Sequence, residues 1–398
     1  MLIAIIGGKL QGLEAAYLAG KAGYRVLLID KKQDIPARNL CDQFCCIDAG
    51  GSDELAEALK PADLVLPTLE NRFALESIVE TANRLNKPLI FDLAAYDLAS
   101  SKSISDKLFF KLGIPAPNPW PDCKFPMVVK PSASSGSEGV LLLENEAALE
   151  SFLNKTGPLL DNWVVQEYLA GPSYSIEILG YRGSYLPLAV TRLEMDEIHD
   201  CKRVLAPAGL SSHYGKQLAR IAEKIAQKIN LNGIMDVEVI LHDNELKVLE
   251  IDARLPSQTP TAVYQSTGVN MIELLAETFI NKKLATSGNL KKPRAAIFEH
   301  IQVAGRKLKI TGEHVISAAG PLTYFENFFG TDEALTDYRP GKDYWVATII
   351  TTSGSMRKAY AKRKWIFEQL KRELSLECCL DPEPVAPRKG FDHDQASF

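Results

Sequence analysis

Apolar residues run unbroken from position 2 to 6 (LIAII), give way to the turn GGKLQG, and recur at helical spacing from Leu13 to Lys21. A second apolar run, RVLLID, then ends at Asp30. This is the pattern of a β-α-β opening. Strand-like runs at Phe44 to Ile47, Leu64 to Pro67 and Leu89 to Phe91 alternate with helical stretches near Asp53 to Leu59 and Phe73 to Leu85. The first 97 residues therefore predict a small doubly wound α/β domain.

The texture changes after Asp97. Lys102 to Leu112 reads as a helix that ends at GIPAPNPW, where three prolines forbid its continuation. Strand, small-residue loop and strand follow in FPMVVKPSASSGSEGVLLL, then a helix near Ala147 to Leu153, the strand WVVQEYL and the alternating segment SYSIEILGY. A long helix from Tyr214 to Ile229 precedes GIMDVEVIL and KVLEIDARLPSQTP, which flank HDNE as the two arms of a hairpin. From Ala295 onward, AIFEHIQV, YWVATIIT and a basic helix from Lys358 to Leu374 complete the last lobe, and the proline-bearing segment 381–398 reads as an extended tail.

Composition narrows the function classes. The 398 residues carry 45 basic and 50 acidic side chains, a net charge of −5, so there is no overall positive field to hold a nucleic acid. No apolar stretch is long enough to span a membrane, and the opening lacks the basic flank of a signal peptide; a soluble, cytoplasmic protein is expected. Seven cysteines, an odd number that includes the adjacent pairs Cys45-Cys46 and Cys378-Cys379, have no zinc spacing and suit reduced thiols. The six histidines are dispersed without a hydrolase or zinc signature.

The first turn departs from a dinucleotide-binding fingerprint. Its positions are Gly7, Gly8, Lys9, Leu10, Gln11 and Gly12, and lysine stands where the backbone must approach a pyrophosphate, which counts against a nicotinamide or flavin enzyme. Asp30 could bond a ribose or a cationic ligand, or be a plain loop aspartate.

Lys130 ends an apolar strand ahead of SASSGSEG, whose backbone N–H groups can turn toward phosphate oxygens; without a following GKS or GKT this is no P-loop. Strand alternation sets Glu250, Asp252 and Arg254 on one face, and Glu238 joins them if its strand is the neighbour. Each like-charge pair at about 4 Å costs roughly 4 kcal/mol at an effective dielectric near 20, so such a cluster implies a bound cation or raised pKa values. Oxygen-only ligands point to Mg²⁺ bridging to nucleotide phosphates. The alternative is an amphipathic hairpin with solvated acids.

The ordered set resembles the ATP-grasp ligases over roughly residues 1 to 375: the glycine-turn domain, Lys102 ahead of GIP, VVKPSASSGSEGV, VVQEYL, DVEVI and LEIDARLPSQT. The resemblance implies an α/β ATP-grasp fold with a Rossmann-like domain at 1–97, a linker helix and smaller lobe at 98–185, and a larger lobe at 186–380. It further implies ATP gripped between the lobes, with Lys102 and Lys130 on its phosphates and the loop Ser134, Ser135, Gly136, Ser137 and Gly139 closing over them. Gln166, Glu167, Tyr168 and Leu169 would lie beside adenine, Glu238, Glu250 and Asp252 would bind Mg²⁺, and Arg254 would hold an acyl-phosphate intermediate. Lys107 and Lys111 fall on the solvated face of their helix.

Within that superfamily GGKLQGLEAAYLAGKAGYRVLLIDK, SYSIEILG and EIDARLPSQTP look most like the ligases of pyrrolysine biosynthesis, which join 3-methyl-D-ornithine through its carboxylate to the side-chain amine of L-lysine. Ser173, Ser175 and Glu177 would then face the ornithine-type substrate, with Ser257 and Gln258 at its carboxyl end. Lys9, Leu10, Gln11, Asp30 and Glu70 are candidates for the head group of lysine or a second ligand. Ser173 and Ser175 as strand polars, Glu177 as a structural ion pair and Glu70 as a helix N-terminal acid are the alternatives. Two amino-acid substrates and a possible homodimer complete the expectation. The nearest rival is a bicarbonate-using carboxylase of the purine-pathway type, which would need further phosphate-binding cations such as His199, Lys202 and Arg203. A non-catalytic nucleotide-binding regulator would keep the fold without turnover, which the intact acidic set and Arg254 argue against.

Overall fold

The computed structural model describes residues 1–133, 139–286 and 293–384. Strands β1 (Leu2–Ile6), β2 (Arg25–Asp30), β3 (Gln43–Cys46) and β4 (Leu64–Pro67) form a parallel sheet in the order β3-β2-β1-β4, with helices α1 (Leu10–Lys21), α2 (Ser52–Leu59) and α3 (Arg72–Arg84) in the connections. The turn between β1 and α1 is tight: Gly7 has φ +104°, and a Cβ on Gly12 would lie 1.9 Å from the Gly7 carbonyl oxygen. Leu89 adds only an isolated bridge beside Val65, not the expected strand over Leu89 to Phe91. Asp92 turns the chain away there, its carboxylate accepting from the Ala95 N–H to cap α4 (Leu93–Ala99).

Helix α5 (Lys102–Leu112) ends on Gly113 in the left-handed region. A three-stranded sheet follows, order β6-β5-β7, from β5 (Met127–Pro131), β6 (Leu141–Leu143) and β7 (Trp163–Glu167), with α6 (Glu146–Thr156) beside it. Strands β8 (Ser173–Tyr181), β9 (Ser184–Met195) and β10 (Cys201–Ala206) begin an eleven-stranded, mainly antiparallel sheet. After α7 (Ser212–Ile229) the chain adds β11 (Gly233–His242) and β12 (Glu245–Asp252) as the outer hairpin beside β8. Asp243 and Asn244 both have positive φ, the two-residue turn that HDNE predicts.

The segment SQTP does not extend that hairpin: Pro260 sits in the first turn of α8 (Thr259–Thr267), where its missing N–H costs nothing, and α9 (Met271–Asn281) follows. The sheet continues through β13 (Ala295–Ala304), β14 (Lys307–Ile310), β15 (Thr323–Glu326), β16 (Glu333–Thr336), β17 (Tyr344–Ser353) and β18 (Cys378–Leu380), with the short α10 (His314–Ser317) and long α11 (Met356–Glu373). Asp381, at the start of the expected tail, is anchored rather than loose: its carboxylate pairs with Lys202 at 2.8 Å, with Arg203 at 2.5 Å and with Arg363 at 3.0 Å.

Helix α1 is buried on more than one side, which explains its run of Ala, Leu and Tyr. One core joins it to the parallel sheet and to Ala262, Val263, Ile272 and Leu275 of α8 and α9. Polar contacts fix this union. The Thr261 N–H donates to Glu14 at 2.6 Å, Gln265 donates to the Tyr17 hydroxyl at 2.7 Å, and Asn270 donates to the Leu18 carbonyl at 2.8 Å. Glu14, nine-tenths buried, has its pKa pushed up to about 7 by that burial. A second core lies under the outer strands, where Leu218, Ile221, Ala222 and Ile225 of α7 meet Ile176, Val237 and Ile251. No helix among the described residues is long and apolar enough to cross a membrane.

Candidate active site

Three adjacent antiparallel strands, β8, β11 and β12, carry the acids of the site. Their register sets two rows across one face: Ser175, Glu238 and Glu250 in the first, Glu177, Asp236 and Asp252 in the second. Directly opposed residues project to the same side of a sheet, so five carboxylates share one surface while Ile176, Val237 and Ile251 fill the core behind it. The sequence pattern led to four of these acids. Asp236 was missed, although it stands two residues before Glu238 and strand alternation puts it on the same face.

A bulge adjusts the end of this surface. Glu238 pairs with Glu250 but Val239 pairs with Val248, leaving Leu249 as the surplus residue. Strict alternation would have turned Val248 to the acidic face and Lys247 to the core. With the bulge, Leu246 and Val248 are buried, and Lys247 reaches Glu167 at the end of β7 in an ion pair.

The carbonyl of Leu249 accepts from Lys130 Nζ at 3.3 Å, and Lys102 Nζ lies 3.3 Å from Glu250 Oε2. The two lysines, distant in sequence, are brought together because the Lys102 N–H donates to the Ser132 carbonyl at 2.9 Å, tying the first turn of α5 to the chain just beyond β5. Burial lowers the pKa of Lys130, with Glu250 and Asp106 opposing. Asp106 was not anticipated, but it stands four residues after Lys102, one helical turn along the same face. Its own pKa is pushed up to about 6 by burial, against the pull of Lys130 and Lys102.

The acids do not share charge equally. Burial raises Glu238, and Glu250 raises it further; burial and then Asp252 raise Asp236. Asp252 is raised by burial, which Arg254 counters. Burial would also raise Glu250, but Lys102 and Lys130 outweigh it and hold this carboxylate below its ordinary range. Crowded, desolvated carboxylates beside one ionised partner are a donor set that fits a hard divalent cation, since a cation would supply the compensation the acids lack.

Glu177 is fully buried, and that burial pushes its pKa up to about 7. Among the described residues neither of its carboxylate oxygens has a hydrogen-bond partner, and the same holds for Ser175 Oγ, Asp236 Oδ1, Thr259 Oγ1 and Gln258 Oε1. Buried polar atoms left open in this way are expensive unless a ligand completes them. Ser173 faces Ile240 one step further along β8. Ser257 Oγ and Gln258 Nε2 both donate to Glu313 Oε2, at 2.6 and 2.7 Å, and Gln258 holds φ +70° to do so. Glu313 arrives from a loop more than fifty residues downstream, and nothing in its local sequence marks it.

Arg254 Nη2 lies 2.8 Å from Glu70 Oε1 and 2.9 Å from Asp252 Oδ2. Glu70 Oε1 also accepts from Gln11 Nε2 at 3.0 Å. A cavity of about 900 Å³ connects these groups: the turn residues Lys9, Leu10 and Gln11 line it with Asp30, Glu70, Arg254, Ser257 and Glu313. Asp30 spends its carboxylate on the Gly8 and Lys32 N–H groups, at 2.8 and 2.9 Å, so it shapes the turn.

On the other side of the cleft, Gln166 is buried and pairs in register with Val128, and Leu169 is buried. The Glu167 carboxylate is committed to Lys247 and to Asn118, whose N–H donates at 3.1 Å; Tyr168 follows with its N–H on the Pro126 carbonyl at 3.1 Å. Ser134, Ser135, Gly136 and Ser137 lie outside the described residues, while Gly139 has φ +76° and packs on Pro131. Lys107 and Lys111 are exposed, as expected. The cations that a purine-type carboxylase would need are taken: Lys202 by Asp381, and Arg203 by Glu194, Glu299 and Asp381. His199 donates its backbone N–H to the Asp196 carbonyl at 3.1 Å.

The described chain agrees with known proteins at two levels. A family model for the ATP-grasp domain matches residues 99–258, the stretch that carries both lysines and every acid of the two rows. A biotin carboxylase of Campylobacter jejuni superposes with a TM-score of 0.70 at 16% identity, over 92% of this chain and 91% of that one. An L-amino acid ligase of Bacillus licheniformis gives 0.68 at 17% identity, over 92% and 97%. The chain is thus an ATP-dependent carboxylate–amine ligase with the ATP-grasp fold.

Its sequence relatives narrow the family. The 3-methyl-D-ornithine–L-lysine ligase of Methanosarcina acetivorans is 37% identical over 318 residues, 79% of this chain and 84% of that protein, and the enzyme of the same name in Methanosarcina barkeri is 36% identical over a similar span. The chain belongs to the family of these ligases.

Proposed function

We propose that this protein activates the carboxylate of 3-methyl-D-ornithine, or of D-ornithine, as an acyl phosphate and joins it to the side-chain amine of L-lysine, releasing ADP and phosphate in pyrrolysine biosynthesis. The observation that carries the reading is Glu177. A fully buried carboxylate with no hydrogen-bond partner among the described residues stands one row from the acids nearest the two lysines, where a cationic substrate amine would complete it.

In this reading Lys102 and Lys130 hold the ATP phosphates, with the loop from Ser134 to Gly139 above them, and Gln166, Glu167, Tyr168 and Leu169 border the adenine. Glu238, Glu250 and Asp252 would hold Mg²⁺, which neutralises phosphate charge during transfer. A carboxylate is a poor acyl donor, and phosphorylation gives it a leaving group; alignment and charge compensation then do the rest, without a protein nucleophile. Ser173, Ser175 and Glu177 take the amino side of the ornithine-type substrate, Ser257 and Gln258 its carboxyl end, and Arg254 the acyl phosphate. Lys9, Leu10, Gln11, Asp30 and Glu70 form the end of the cavity that receives the lysine head group, leaving its Nε toward Arg254.

The decisive assay is coupled ADP release with D-ornithine or 3-methyl-D-ornithine, with and without L-lysine, followed by product mass. Full turnover requires both amino acids and yields one amide. ADP release that ignores the ornithine-type substrate refutes the assignment.

A further inference from the structure

One histidine on the cavity wall has no part in the reading above. His314 opens α10 and lines the same cavity as Gln11, Glu70, Arg254 and Glu313. Its Nδ1 lies 2.6 Å from Asp200 Oδ2, and its backbone N–H donates to the same oxygen at 3.0 Å. The ring is therefore held at one edge while 49% of the side chain remains open.

Asp200 is itself rigidly mounted. It is buried, its N–H donates to Asp196 Oδ1 at 3.0 Å, and Gly312 packs so closely that a Cβ there would lie 2.1 Å from Asp200 Oδ2. Ligand atoms of Asp196, Asp200 and His314 lie within 4.8 Å of one another. Asp196, however, has committed its oxygens to the N–H groups of Ile198, Asp200 and Gly312 and to the Thr311 hydroxyl. The cluster is a mount for one imidazole rather than an open set of metal ligands.

Amide formation needs what this mount offers. An alkyl ammonium has no lone pair, and at neutral pH the side chain of free lysine is almost wholly ammonium. An imidazole that donates its Nδ1 hydrogen to a carboxylate keeps a lone pair on Nε2, and the same carboxylate stabilises the imidazolium formed when Nε2 takes a proton.

We infer that His314, oriented by Asp200, is the general base that deprotonates the side-chain ammonium of the acceptor as it attacks the acyl phosphate. The inference rests on the acyl-phosphate reading given above. Nε2 takes one proton from the ammonium, and the freed nitrogen pair forms the C–N bond. The C–O bond to phosphate breaks with its electron pair leaving on phosphate, which takes the second amine proton; His314 returns its proton to water. The acids around the imidazole are Asp200 and Asp196, with Glu313 next to it in the chain. The other histidine nearby, His300 on β13, is kept neutral by burial, which lowers its pKa to about 3.

Hydroxylamine separates the two half-reactions, because it is neutral near pH 7 and attacks acyl phosphates without a base. With His314→Ala and His314→Gln in the full chain, lysine-dependent amide formation at pH 7 should fall roughly 10²-fold or more, while hydroxamate formed from D-ornithine, ATP and hydroxylamine falls far less. Activity of the variants with lysine should recover as the pH rises toward about 10, where the substrate deprotonates itself. Imidazole in solution should partly restore His314→Ala. Equal losses in both assays, or unchanged amide formation, overturn the role of His314. No hydroxamate from the unaltered protein overturns the acyl-phosphate reading, and the inference with it.

Discussion

Arg254 Nη2 stands 2.8 Å from Glu70 Oε1, so the N-terminal parallel sheet supplies a carboxylate to the arginine that follows the last acid of β12. The contact crosses from the glycine-turn domain to the large sheet and closes one end of the cavity. Glu70→Gln keeps the shape of this side chain and removes its charge. The KM for L-lysine should then rise roughly tenfold, about 1.4 kcal/mol, with the KM for ATP little changed. Steady-state kinetics in each substrate decide it, and an unmoved lysine KM would confine Glu70 to a structural part.

Lys130→Ala and Glu250→Ala remove one member each from the cluster that also holds Lys102. ADP release should fall by roughly 10²-fold or more, the scale of losing one positioned electrostatic group. Circular dichroism and the denaturation midpoint show whether each variant stays folded. Retained turnover would remove these residues from the nucleotide site.

Glu177→Gln should weaken the ornithine-type substrate far more than ATP in separate titrations. A second consequence follows from protonation. In the folded protein Glu177 holds its proton up to about pH 7, whereas the unfolded chain releases it near 4.5. The folded state thus binds more protons between those values, and stability falls as pH rises through that window. The penalty is complete above about pH 7 and amounts to at most about 3 kcal/mol. Glutamine carries no such titration, so the variant should gain stability relative to the unaltered protein between pH 5 and 8 while losing substrate. Denaturation midpoints across that range test the sign.

Gly12→Ala sets two effects against each other. Alanine gains about 1 kcal/mol of helix propensity. The new Cβ, however, would lie 1.9 Å from the Gly7 carbonyl in a buried turn, and overpacking of that kind costs about 1–3 kcal/mol. The clash should win, lowering the urea midpoint and widening the glycine turn at the cavity.

Local patterns made much of this fold readable. HDNE specified its hairpin because Asp and Asn tolerate positive φ, and the acids of β11 and β12 declared themselves by sitting at alternate positions in apolar strands. The end of helix α5 could be read because the prolines of GIPAPNPW forbid its continuation, and the chain leaves it through Gly113 in the left-handed region. Contacts between distant segments were hidden. Asp200 and Glu313 come from loops and His314 from the short α10, and all three line one cavity with Arg254 only because the large sheet returns past α8. The helix at Thr259 was hidden by the strand pattern preceding it, although Pro260 marks a first helical turn. Asp106 and Asp236 were legible by periodicity and simply belong to faces already identified.

The surplus residue at Leu249 sits where two consecutive apolar positions, Val248 and Leu249, break the alternation of the strand. The surplus residue therefore does two things at once: it keeps Lys247 turned to the cleft and Val248 to the core, and it gives the buried ammonium of Lys130 a main-chain acceptor.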